Sequence, residues 1–307
     1  MDNSPARPLA ACQLIVVTGK GGVGKTAVSA LLGAALAEAG RRTLVAEVDP
    51  RENLHQMLGV APSGGEILRA GPRLWVQNLS PQRVIDELVS EQVKIGLVAR
   101  RVLASPIYQQ FTAGAPGLKE MAVLGQAFRL LSGRAGTGAP AIDTVILDAP
   151  ATGHGVALLA APALVAEVIR SGPIGRMSAA VAELVADPLR TAVVTVTLAE
   201  EMPVQEVLEL AAALEEKLGR RPDLLVANGL FPPFPPALAR DAAESDPAAV
   251  LWRRLRANQD RELGRLAATW SWSRIDLPLL PLARGPELVA ALRRAAEGQA
   301  AWKAVRS

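Results

Sequence analysis

Aromatic residues are scarce in this chain. Phe, Trp and Tyr together make up 3% of 307 residues, with a single tyrosine. Few flat side chains are therefore available to stack on single-stranded bases. The net charge of +3 adds no strong basic field, so nucleic acid is not an expected partner. Cysteine is scarcer still, because Cys12 stands alone. That excludes an intrachain disulfide and a cysteine cluster for zinc or iron–sulfur, and it fits a reducing compartment. Cys12 reads as a small buried apolar residue at the edge of the first strand. The opening residues, Met1-Asp2-Asn3-Ser4-Pro5-Ala6-Arg7, lack a basic-then-apolar leader pattern. The most apolar stretch, Gly155 to Ile169, is too short to span a bilayer and contains Pro162. A cytoplasmic protein is expected. Half of the residues are nevertheless hydrophobic. With so few aromatics the core must be Ala, Leu and Val, which favours helices packed on a parallel sheet over an all-β fold.

The most informative segment is Gly19-Lys20-Gly21-Gly22-Val23-Gly24-Lys25-Thr26. It matches the phosphate-binding pattern G-x-x-x-x-G-K-[ST]. Gln13 to Thr18 before it is a short, β-branched apolar run, the pattern of a buried strand. The Ala- and Leu-rich stretch after it favours helix to about Gly40. In that context the glycines let backbone N–H groups approach phosphate, and the helix N-terminus adds about half a positive charge. Lys25 is expected on the β- and γ-phosphates, and the Thr26 hydroxyl on Mg²⁺. Lys20 is a second lysine in a loop that needs one. Its candidate role is to reach across a two-fold interface to a partner's nucleotide. The alternative is an ordinary exposed lysine.

Further apolar strands are expected at Thr43–Val48, Leu74–Asn78, Thr144–Leu147, Ala192–Leu198, Leu224–Ala227 and Ile275–Leu280. Helical segments separate them, and 59–73 reads as loop. Residues 1–11 read as a loose tail. Alternating strands and helices predict an α/β fold: a parallel, mostly doubly wound sheet with helices on both faces. Ligands in such sheets bind beyond the carboxyl ends of the strands. Asp49, Asp148 and Asn228 all stand at such ends. Asp148 is placed to hold Mg²⁺. Asp49 can orient an attacking water or simply start the Asp49-Pro50 turn, and the residues alone leave both open. Asn228 carries both a donor and an acceptor for adenine, but Asn228-Gly229 is also a turn signal. No guanine-reading Asn-Lys-x-Asp segment occurs, which favours ATP over GTP. Thr152, Gly153 and His154 form a loop after the Mg²⁺ carboxylate that can respond to loss of the γ-phosphate.

Taken together these segments resemble the deviant P-loop group of MinD, ParA, nitrogenase iron protein and ArsA. Asp49-Pro50-Arg51-Glu52-Asn53-Leu54 is similar to switch I of the ArsA branch, and Asp148-Ala149-Pro150-Ala151-Thr152-Gly153-His154 to its switch II. Ala115–Glu120, Val226–Leu230 and Leu277–Pro281 resemble further segments of that branch, which includes arsenical-pump and tail-anchored-protein targeting ATPases. The resemblance implies one P-loop ATPase domain over 12–307, with a reduced helical subdomain at roughly 80–135 and 156–188. It implies an Mg²⁺-dependent ATPase that switches by face-to-face dimerisation, as a homodimer or with a related ATPase. Asp49 would position the attacking water, Asn53 would lie near nucleotide at the interface, and Asn228 would read adenine. The chain departs from that branch in several respects. It has no cysteine set for a metalloid, no C-x-x-C pair and no Met-rich insert after switch II. An unidentified protein client or membrane component is therefore the expected partner. A MinD-like positioning module, peripheral to a membrane through Leu288–Val305, is the alternative. An arsenite-stimulated ATPase of an efflux pump is a third reading.

Overall fold

The seven strands that the apolar runs predict join one that they do not in an eight-stranded sheet among the described residues. The computed structural model describes residues 8–49, 51–92, 100–101, 103–136, 138–150, 155–233, 246–270 and 273–306. The strands are β1 Leu14–Thr18, β2 Thr43–Glu47, β3 Leu68–Gly71, β4 Leu74–Asn78, β5 Thr144–Asp148, β6 Thr191–Leu198, β7 Leu224–Leu230 and β8 Arg274–Pro278. The helices before β5 are α1 Lys25–Glu38, α2 Asn53–Leu58, α3 Pro81–Gln92, α4 Pro106–Gly114 and α5 Leu118–Leu131. Those after it are α6 Gly155–Val168, α7 Gly172–Ala186, α8 Glu201–Leu218, α9 Pro247–Thr269, α10 Pro286–Ala296 and α11 Ala300–Arg306.

The strand order is β3-β4-β2-β5-β1-β6-β7-β8. β1 pairs in parallel with β5 on one side and β6 on the other. The chain winds outward from β1 first toward β2 and later toward β6, so the winding direction reverses at β1. A crevice opens at such a reversal, beyond the carboxyl ends of the strands. The loop carrying Lys20 and Lys25 leaves β1 at that point.

Two expectations need correction. Residues 68–71, expected as loop, form the edge strand β3, which runs antiparallel to β4. Leu68–Gly71 is only partly buried, so it lacks the apolar run that marks the inner strands. Residues 9–11, expected as part of a loose tail, are also ordered. Leu9–Ala11 forms a 3-10 turn, and Leu9 is fully buried in the core that α11 helps to close. Burying a leucine side chain contributes about 1.5–3 kcal/mol, enough to hold this turn down.

Side chains alternate across each strand. Ile15, Val17, Val45, Ile146, Val194 and Val226 join the core beneath α1, α10 and α11. Leu14, Val16, Leu44, Val145, Leu147 and Val193 join the core beneath α5, α6 and α7. α1 has almost no polar face because it lies between the sheet and α2, α10 and α11. Gly33 allows that close approach, since a Cβ there would collide with Val45. Val289, Leu292, Ala296, Trp302 and Val305 of the closing helices are buried in the same core. The apolar stripe of Leu288–Val305 thus covers the sheet. Among the described residues no helix is long and apolar enough to cross a membrane.

Candidate nucleotide site

β1 delivers the chain into a loop whose shape depends on glycine at two positions in particular. Gly24 caps α1 at φ +93°, and a Cβ there would run into the Asn228 amide. Gly19 at φ +147° would drive a Cβ into the Val196 carbonyl. The loop is thereby pressed onto the ends of β6 and β7. Lys25, at the first turn of α1, is only 7% exposed. Its Nζ donates to the Gly19 carbonyl at 3.1 Å and to the Lys20 carbonyl at 2.9 Å. Burial lowers the pKa of Lys25, and the nearby Asp148 carboxylate opposes that shift.

Thr26 Oγ1 donates to Asp148 Oδ2 at 2.6 Å. This joins the start of α1 to the end of β5, residues far apart in the chain. Burial raises the Asp148 pKa to about 6, against the Thr26 hydrogen bond and the Lys25 charge. Asp148 Oδ1 is buried without a hydrogen-bond partner among the described residues. A buried carboxylate oxygen left in that state is costly unless a cation or donor reaches it.

Strand register then lines up three polar residues. Asn78 ends β4 opposite Glu47 of β2, and Glu47 lies opposite Asp148 of β5. Glu47 is 2% exposed. Both its oxygens accept from the Leu54 N–H, at 2.9 and 3.1 Å. Burial raises its pKa to about 7; the Leu54 hydrogen bond pulls the other way, and Asp148, Asp49 and Glu52 push it further up. Asp49, just beyond β2, accepts from the Arg51 N–H at 2.8 Å and from Asn53 Nδ2 at 2.9 Å. Asn78 clasps its backbone, donating from Nδ2 to the Asp49 carbonyl at 2.9 Å and accepting the Asp49 N–H at 3.3 Å. Glu52 has φ +49°, the sole non-glycine in the left-handed region among the described residues. Its carboxylate accepts from the Ser63 N–H at 2.5 Å and the Gly64 N–H at 3.1 Å. Those contacts hold a conformation that costs on the order of 1 kcal/mol or more.

The result is a cleft of about 450 Å³ lined by Gly22, Gly24, Lys25, Thr26, Glu47, Asp49, Asn53, Asp148 and Arg284. Its volume suits a small-molecule ligand. One wall offers loop N–H groups, a helix N-terminus and a buried cation. The opposite wall offers carboxylates. That donor set fits a magnesium–triphosphate: Lys25 and the loop would meet the phosphates, and Thr26 and the unpartnered Asp148 oxygen would hold the metal.

A family model described as anion-transporting ATPase, ArsA type, matches residues 12–172. The chain belongs to that family. ATPase BagA of Mycobacterium tuberculosis (strain ATCC 25618 / H37Rv) is 30% identical over 217 residues, which covers 69% of this chain and 62% of that protein. An arsenical pump-driving ATPase of Escherichia coli is 29% identical over 262 residues, covering 77% of this chain and 42% of that protein. The corresponding protein of Acidiphilium multivorum (strain DSM 11245 / JCM 8867 / NBRC 100883 / AIU 301) is 30% identical over 257 residues, with the same coverage of 77% and 42%. The chain thus spans less than two thirds of the length of these relatives.

Within this ArsA-type frame the expected residues divide into groups. Lys25, Thr26, Asp49, Asn53 and Asp148 meet in the Lys25 cleft, with Gly22 and Gly24. Lys20 does not line it. Lys20, Gly19 and Gly21 instead line a second cleft of about 630 Å³ on the other side of the loop, with Glu206, Val207 and Leu210. There Lys20 Nζ pairs with Glu206 Oε1 at 2.6 Å, both side chains more than a third exposed. Val23 is buried, and its carbonyl accepts from Asn228 Nδ2 at 2.9 Å. Asn228 thus braces the loop from below. Thr152, Gly153 and His154 lie outside the described residues, as does Pro50. Glu47, Asn78 and Arg284 were not singled out from the sequence. For Glu47 and Asn78 a signal existed: a polar residue closing an apolar strand of a parallel sheet.

Proposed function

We propose that this chain is a Mg²⁺-dependent ATPase of the ArsA type that couples nucleotide binding to dimerisation. The observation that carries the reading is the Thr26–Asp148 hydrogen bond beside the buried Lys25. It supports a preformed phosphate and metal site at the α1 N-terminus. Lys25 would neutralise the β- and γ-phosphates, its ammonium held within the loop by the Gly19 and Lys20 carbonyls. Thr26 and Asp148 would hold a magnesium ion, which would supply charge neutralisation at the phosphates. Asp49 would orient the attacking water and accept its proton, its carboxylate held by Asn53 and the Arg51 N–H.

Lys20 supports the dimer part of the reading. It does not line the Lys25 cleft, and among the described residues it is held by a partly exposed ion pair. A lysine so placed is free to reach a nucleotide bound by a second subunit, identical or related. The client remains a protein or membrane component in this reading. Neither alternative gains support of its own. Membrane docking through Leu288–Val305 would need the apolar residues that fill the core. Arsenite binding through thiols would need more than the buried Cys12.

The test is Mg²⁺-ATP turnover per chain measured against protein concentration, with Asp49→Asn beside it. The expected result is a rate that rises with concentration and falls at least about 10²-fold in the variant. Equal turnover by the variant overturns the role of Asp49. A constant rate and unchanged mass with nucleotide, alone and with a related ATPase, overturn the dimer.

A further inference from the structure

We infer that Glu47 is a positioning residue for the hydrolytic step: its carboxylate ties the first turn of α2 to the end of β2 and so sets Asp49 and Asn53 against the phosphate loop. The inference rests on the reading of Asp49 as the group that orients water.

The loop between β2 and α2 has little apolar anchoring of its own. Among its described residues the only fully buried apolar side chain before Met57 is Leu54. Polar contacts must therefore define its shape. Asn78 fixes the loop at Asp49, through both backbone groups. Glu47 fixes it at Leu54, where a helix N-terminus needs an acceptor. Asn53 lies between these two clamps and donates to Asp49 Oδ2 at 2.9 Å. Any shift of the α2 start moves Asn53, and with it the orientation of the Asp49 carboxylate.

The usual capping position cannot serve instead. Glu52 precedes α2 in a left-handed conformation, and its side chain makes no cap to the helix. It bonds the Ser63 and Gly64 N–H groups. Glu47 is the acceptor that replaces it, reaching from the neighbouring strand. The placement has an electrostatic cost, because Glu47 lies beside Asp148 and near Asp49 in a buried cleft. An apolar side chain would fill the same space without that repulsion but would leave the Leu54 N–H without its acceptor. The carboxylate therefore does something for the loop that packing alone would not.

Two substitutions separate acceptor from bulk. Glu47→Leu keeps the volume and removes the acceptor. Glu47→Gln keeps one acceptor oxygen and removes the charge. Each would be compared with wild type for kcat and KM with Mg²⁺-ATP and for thermal midpoint, under conditions where wild type turns over. The expected result for Glu47→Leu is a kcat lower by about 10- to 100-fold, the scale of a misplacement near 1 Å, with KM within about threefold. Glu47→Gln should recover most of that loss. Turnover by Glu47→Leu within about twofold of wild type would overturn the inference. So would a Glu47→Gln variant as slow as Glu47→Leu, because the charge and not the contact would then matter. If Glu47→Leu fails to fold, Glu47→Gln decides: a folded chain near the wild-type rate supports the inference, and one with a lost rate sinks it. Asp49→Asn distinguishes the two levels. Full activity in that variant defeats the reading of Asp49, whereas an inactive Asp49→Asn beside an active Glu47→Leu defeats the role of Glu47 alone.

Discussion

The phosphate loop presents two lysines to two different clefts, and their surroundings differ in nearly every respect. Lys25 is buried, bonded to main-chain carbonyls and faced by Asp148. Lys20 is more than a third exposed and faced by Glu206 on a cleft with an apolar wall. A buried ammonium next to a carboxylate is organised before any ligand arrives. An exposed ion pair is worth on the order of 1 kcal/mol or less and exchanges easily. One side of the loop is therefore fixed by buried contacts, and the other by a contact that exchanges easily. The same contrast recurs between the two walls of the Lys25 cleft. The α1 wall is packed into the main core. The wall that carries Asp49 and Asn53 is shaped by hydrogen bonds that Asn78 and Ser63 donate and by one that Glu47 accepts from the Leu54 N–H.

The largest effect should come from Lys25. Lys25→Met is expected to lower turnover by about 10³-fold or more and to weaken ATP binding in the same chain, because a buried charge on the phosphates is removed. Fluorescent-ATP titration and steady-state hydrolysis measure both. Lys20→Met should break the comparison in the opposite pattern. ATP binding by the single subunit should stay within about twofold, while turnover at high protein concentration falls by roughly 10²- to 10³-fold, as when a trans-acting cation is lost. If both variants lose binding equally, the two clefts are not functionally distinct.

The smallest effect is one of stability. Glu47 and Asp148 are both raised by burial, to about 7 and about 6, from about 4 in an unfolded chain. The folded chain then binds more protons than the unfolded chain between about pH 4 and pH 7. The stability these groups contribute is complete below about pH 4 and is lost as pH rises through their folded values. Without ligand, the unfolding free energy measured by urea titration should therefore be lower at pH 7.5 than at pH 5, by a few kcal/mol at most. Glu47→Gln should flatten that dependence. An unchanged slope in the variant would mean that Glu47 does not titrate in this range.

Much of this architecture was legible before any fold was known. Buried parallel strands are continuous apolar runs, so β1, β2, β5 and β7 stood out, and β6 stood out by its alternating Val and Thr. β3 did not, because Leu68–Gly71 lies at a sheet edge and needs no such run. Lys25, Thr26 and Asp148 were legible because a phosphate loop constrains its own local sequence. Asn78 and Glu47 were weaker signals, since a polar residue at a strand end also suits an ordinary turn. Asn228 was expected to read adenine, and its amide nitrogen is bonded to the Val23 carbonyl.

The sequence by itself determined the α/β class, the phosphate loop and the residue types that flank it, because periodicity and turn chemistry act over a few residues. Only the tertiary structure decided which of those residues share a cleft. Register set Asn78, Glu47 and Asp148 side by side. The turn out of β1 sent Lys20 and Lys25 to opposite sides. Both depend on strands far apart in the chain packing against one another, and no local pattern carries that information.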